Sequence, residues 1–206
     1  MRELLGVVAG VIAAFLCLRL SRSYVLAIQS GLEIPKALWL ELLVIGGATG
    51  KSIGEDLTER SALLAVVASL LIIQTPVDLL TQRLARLPTL LALLAAVVIR
   101  TFSVIVDGTT SAWKVQLIVT AVWILIMTGF QRLSPRSLGW GDVLLSAPLA
   151  LAVSSIHLSS VAVWMLFASS SAAVHGLVAQ WKSGKRYVPF GPHLLGAAWI
   201  VLVMSV

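Results

Sequence analysis

The chain has 206 residues, of which 59% are hydrophobic and only 12% charged, with a mean hydropathy of +1.00. A soluble domain carries about twice that charged fraction, and the apolar excess runs along the whole length, so lipid is the solvent for most of it. The net charge of +6 and the single cysteine, Cys17, bound the rest. The basic residues sit in short loops between apolar runs, which points to anionic lipid headgroups and away from nucleic acid. One cysteine excludes an internal disulfide and a multi-cysteine zinc site.

Apolar windows of bilayer-crossing length predict about eight spans, at 4–20, 37–53, 61–78, 88–106, 112–130, 139–157, 159–180 and 188–206. The fold class is therefore all-α, a polytopic transmembrane helix bundle. Met1-Arg2-Glu3 and the first apolar run could open a signal peptide, but Arg19 and Arg22 look like the basic end of a retained membrane helix. The second window is the weakest, because Glu41 and the cluster Gly46, Gly47 and Gly50 interrupt it. The longest loop is expected at about residues 21–36.

Orientation follows from the loop charges. With eight spans, Arg19, Arg22, Lys36, Arg83, Arg86, Arg132, Arg136, Lys182, Lys185 and Arg186 share one side. Arg2, Lys51, Arg60 and Lys114 share the other, together with Glu3, Glu55, Asp56, Glu59 and Asp107. The basic side is cytoplasmic by the positive-inside rule, and both termini fall outside.

Ionisable groups within spans are costly and are functional candidates by default. Four need an account: Glu41, Asp78, Arg100 and Asp142. Asp78 ends the third span and Asp142 opens the sixth, so the alternation of spans puts both near the cytoplasmic face. Two carboxyls at close range in a low-dielectric site share one proton and titrate as a unit. That state suits aspartic proteolysis: the ionised member draws a proton from water while the neutral one donates to the scissile carbonyl. Gly139 and Gly141 flank Trp140 beside Asp142 and would admit a close helix or an extended backbone. The competing account is that each aspartate is a solvated helix-end residue.

Gly139-Trp140-Gly141-Asp142 resembles the GxGD motif of type IV prepilin peptidases. Asp78-Leu79-Leu80-Thr81-Gln82-Arg83 resembles that family's first catalytic aspartate and the basic loop after it. Val188-Pro189-Phe190-Gly191-Pro192-His193 resembles its segment before the last span, and Pro35 to Leu42, with Glu41, the opening of its second. The resemblance covers about 35–206 and divides the chain into 1–34, an N-terminal helix and short loop, and 35–206, a peptidase domain. It implies Asp78 and Asp142 as the catalytic pair, with Gly139, Gly141, Pro189, Gly191, Pro192 and Glu41 in support. It implies a multi-pass protein of the inner, cytoplasmic membrane, with no cofactor, that trims the basic leader of a prepilin-like protein. The short loop after the first span lacks the insert with paired CxxC motifs that larger members carry, so N-methylation is not expected. In the family a proline often follows the first aspartate by about seven residues; here Ala85 holds that place.

Other signals are weaker. Gly46 to Ser52 looks like a phosphate-binding loop, but its first glycine would fall on Ile45 and no strand precedes it, so small-residue helix packing is the better account. Glu41 either tunes the aspartate pair or pairs with Lys36. Arg100 is expected to snorkel or to pair with a carboxylate, Asp107 being one option. His157, His175 and His193 fall at different depths, and a metal site is not expected. The serine run at 169–171 shows no histidine partner that would suggest a serine protease. A presenilin-like protease, or a non-catalytic subunit or proton-coupled transporter, remains as an alternative; Val77 before Asp78 speaks against the first.

Overall fold

The computed structural model describes residues 1–29, 31–55, 58–108, 110–133, 138–183 and 188–205. Arg136, Lys185, Arg186 and Asp56, used above for orientation, lie outside the described residues. The described residues form eight helices: α1 (Arg2–Ile28), α2 (Lys36–Glu55), α3 (Glu59–Thr81), α4 (Arg86–Asp107), α5 (Thr110–Leu133), α6 (Trp140–Ser154), α7 (Leu158–Ser183) and α8 (Gly191–Val203). Five of them, α1, α3, α4, α5 and α7, are long and apolar enough to cross a membrane.

Each window expected to span contains a helix, with two kinds of departure. α1 runs to Ile28, so about half of the expected loop at 21–36 is helical. Its buried stripe explains why: Ala14 and Leu18 continue at helical spacing into Ser21 and Val25. In contrast, α6 and α8 have only 15 and 13 residues. At 1.5 Å per residue they span about 20 Å, short of the roughly 30 Å hydrocarbon layer.

α3 is the central element. Thr58 and Ser61 cap its start reciprocally, the Ser61 N–H donating to Thr58 Oγ1 at 3.3 Å and the Thr58 N–H to Ser61 Oγ at 2.9 Å. Leu63, Leu64, Val67, Leu70 and Leu71 are buried in it. α6 is buried along most of its length, with Leu145, Leu149, Ala150 and Leu151 sealed in the core and Trp140 and Leu144 exposed. α8 packs on α3, α6 and α7. The Trp164 indole of α7 donates to the Leu194 carbonyl at 2.8 Å, and the Trp199 indole of α8 to Thr49 Oγ1 of α2 at 2.9 Å.

The glycine cluster of α2 is a helix-packing seam. Gly46 and Gly50 lie against Gly10 and Gly6 of α1, and a Cβ on Gly10 or Gly6 would run into the carbonyl oxygen of Gly46 or Gly50. In lipid such small residues let backbones approach closely, which supplies the dispersion contact that hydrophobicity cannot. α1 also packs on α3, so it belongs to the same bundle as the rest.

Candidate active site

Asp78 lies in the last turn of α3, where the chain leaves the helix through a left-handed residue, Gln82, at φ 53°. Its carboxyl points inward and the residue is 5% exposed. Asp142 is the third residue of α6 and is also 5% exposed. Its Oδ2 accepts the Gly139 N–H at 3.1 Å, satisfying one donor that the helix start would leave open. Gly139 has no side chain to return the bond. Asp142 thus does part of what the helix-end account expects, but it does so from a buried position.

The two carboxyls lie within the range over which their charges interact. The link between them runs through a glycine and a leucine. A Cβ placed on Gly191, at the start of α8, would sit 2.6 Å from Asp78 Oδ2 and 3.2 Å from Leu84 Cδ2. A Cβ on Gly141 would sit 3.1 Å from Leu84 Cβ. The ends of α3 and the starts of α6 and α8 therefore converge, with Leu84 of the α3–α4 loop laid against both glycines. The Gly191 backbone N–H approaches the Asp78 carboxyl, yet Oδ2 makes no hydrogen bond of ordinary geometry among the described residues. A buried carboxyl oxygen so poorly satisfied is expensive unless it carries or receives a proton.

Of the expected site residues, the structure brings together Asp78, Asp142, Gly139, Gly141 and Gly191. Pro189 and Pro192 flank Gly191 and are half-buried, as the approach to α8. Glu41 is not brought in. It is exposed on α2 and has neither a hydrogen bond nor an ion pair to the dyad or to Lys36 among the described residues.

Two residues that sequence reasoning passed over shape the site. Leu84 covers it. Gln74, fully buried one turn before Asp78, grips the α3–α4 loop: its Nε2 donates to the Ala85 carbonyl at 2.6 Å and to Thr89 Oγ1 at 2.9 Å, and its Oε1 accepts the Ala85 N–H at 2.9 Å. The signal was a glutamine inside an otherwise apolar span. The bond also accounts for Ala85, because a proline there would have no N–H to give to Gln74.

One expectation fails, and another holds with a different partner: Arg100 does pair with a carboxylate, that of Glu59. His175 and His193 do not lie apart: His175 Nδ1 is 3.0 Å from His193 Nε2, and His193 Nδ1 is 3.0 Å from Ser171 Oγ. The serine run therefore does have a histidine partner. The contact arises because α7 and α8 pack antiparallel, which sets the start of α8 beside the later half of α7, a juxtaposition that depth counted along single spans misses. Arg100 pairs with Glu59 of α3, not with Asp107, which accepts from Ser103 at 3.0 Å. Among the described residues no group of three or more metal-ligating side chains occurs.

Set against protein-family models, curated proteins and solved structures, the chain matches none of them.

Proposed function

We propose that the chain is an intramembrane aspartic peptidase of the prepilin-peptidase type, with Asp78 and Asp142 as its catalytic pair. The observation that supports this reading is that two buried carboxyls from distant helices come to the same end of the bundle, beside glycines at which Asp78 and Leu84 pack too closely for any side chain. In this reading the pair holds one proton. The charged member activates a water molecule, and the neutral one protonates the oxygen of the scissile carbonyl. The protein then spans the inner membrane eight times, with both termini outside and the dyad near the cytoplasmic face. The substrate is a prepilin-like precursor cut ahead of its apolar helix. Helix packing in lipid recruits it, since the basic cytoplasmic loops would repel a basic leader. N-methylation is left to another protein.

The test is cleavage of a prepilin-like precursor by the purified protein in proteoliposomes. Asp78→Asn and Asp142→Asn should each abolish cleavage in a chain that melts like the parent. Full cleavage by either variant removes the dyad assignment. The Ser171–His193–His175 chain is the rival nucleophile, and Ser171→Ala should leave cleavage unchanged. If the parent cuts no such precursor, the subunit or proton-coupled transporter reading takes its place.

A further inference from the structure

A second polar site lies at the other end of α3 and does not depend on the proteolytic reading. α6 and α8 stop short there, and beyond Ser155 and Ser205 the ends of α3 and α4 enclose a cavity of about 1020 Å³. Its charge comes from Glu59, Arg60, Arg100 and Asp107. Arg100 is 6% exposed. Its Nη1 donates to Glu59 Oε2 and its Nε to Gln116 Oε1 of α5 at 2.8 Å, so part of the guanidinium stays uncommitted among the described residues. Glu59 Oε1 is buried with no hydrogen-bond partner among them. Among the described residues, Arg60 Nη1 donates to the Ser205 carbonyl at 3.3 Å.

Two acidic and two basic side chains balance, so the cavity favours neither a plain anion nor a plain cation. An unmet carboxylate oxygen wants an N–H donor, while the spare donors of Arg60 and Arg100 want an anionic oxygen. A ligand with an ammonium and a phosphate a few bonds apart meets both needs. The α4 wall of the cavity is formed by Val98, Phe102 and Val106, which are 57%, 68% and 67% exposed. That rim is apolar and open to lipid, as acyl chains require.

We infer that this cavity binds the headgroup of a zwitterionic phospholipid bearing a primary ammonium, the ammonium on Glu59 Oε1 and the phosphate on Arg60 and Arg100.

The test uses the full chain in nanodiscs and measures lipid retention by native mass spectrometry. Phosphatidylethanolamine should be retained at least about tenfold over phosphatidylcholine, whose methylated nitrogen has no N–H to donate, and over phosphatidylglycerol, which has no cation. Arg60→Gln, at an exposed position, should lower that retention about tenfold with the helical signal unchanged. Glu59→Gln should erase the preference over phosphatidylcholine. If Glu59→Gln leaves Arg100 unpaired and the chain unfolds, Arg60→Gln carries the test alone. Equal retention of the three lipids, or an Arg60→Gln variant like the parent, overturns the site. Displacement of the lipid by free phosphoethanolamine at matched concentration overturns the lipid and leaves a soluble zwitterion in its place.

Discussion

Gly191 has the least room of the three glycines around the dyad. A methyl group there would stand 2.6 Å from Asp78 Oδ2, and only the carboxyl can give way. Rotating that carboxyl misplaces it by a fraction of its own size, and errors of that order cost catalysis far more than they cost stability. Gly191→Ala should therefore lower precursor cleavage by at least about tenfold while unfolding shifts by less than about 1 kcal/mol. Paired turnover and melting measurements check it. A large stability loss with normal turnover per folded molecule would show that Gly191 serves packing alone. If the pair works with one proton between its members, the rate also falls on both the acid and the alkaline side, giving a bell-shaped profile. Either aspartate-to-asparagine variant removes the activity along with the bell.

Helix α3 and the loop after it form the unit that aims Asp78. Gln74 replaces the hydrogen bonds that the Ala85 backbone would otherwise lack in a dry setting, and the cost of leaving them unmade is about 1–3 kcal/mol. Gln74→Leu and Ala85→Pro should each destabilise by that amount. The backbone at Ala85, with φ −73°, already suits proline, so the loss in Ala85→Pro comes from the missing donor and not from the ring. The two changes break one linkage, so the double variant should lose less than the sum, which thermal melting of the four proteins would show. Additive losses would place the two residues in separate roles.

At this scale the sequence was a good guide to where helices lie and a poor one to where they stop. Apolar run length locates every helix, five of them long and apolar enough to cross a membrane, because lipid tolerates no exposed backbone. It extends α6 to 157 and α8 to 206, however, where the helices end at Ser154 and Val203. Hydropathy cannot separate a residue that is apolar because it faces lipid from one that faces other helices, and α6 is of the second kind. That Asp78 and Asp142 come to the same end of the bundle was legible, because alternating helix direction sets the end of α3 beside the start of α6. The neighbours of Arg100 were not, because Glu59 precedes it by a whole helix and nothing in linear spacing joins them.

For the molecule as a whole, the charged groups sort to two ends of the bundle, the dyad at one and the Arg100–Glu59 pair at the other, separated by the length of α3. The 19 residues from Glu59 to Asp78 rise about 28 Å, close to the hydrocarbon thickness. In a Cys17→Ser background, Arg83→Cys and Lys114→Cys should be labelled by an impermeant thiol reagent from opposite sides of the membrane, Arg83→Cys from the cytoplasmic one. Labelling of both from one side would remove the eight-span topology and, with it, the cytoplasmic position of the dyad.

The shortness of α6 and α8 also bears on biogenesis. Segments of 15 and 13 residues cannot hold themselves across a bilayer, whereas α1, α3, α4, α5 and α7 can. In the eight-span reading the short pair would enter as the second arms of hairpins, α6 behind α5 and α8 behind α7, against which they pack. Asp142 rides on α6 and Gly191 on α8, so Asp78 stays without its partner until the α5–α6 hairpin docks, and the site closes only with the last hairpin.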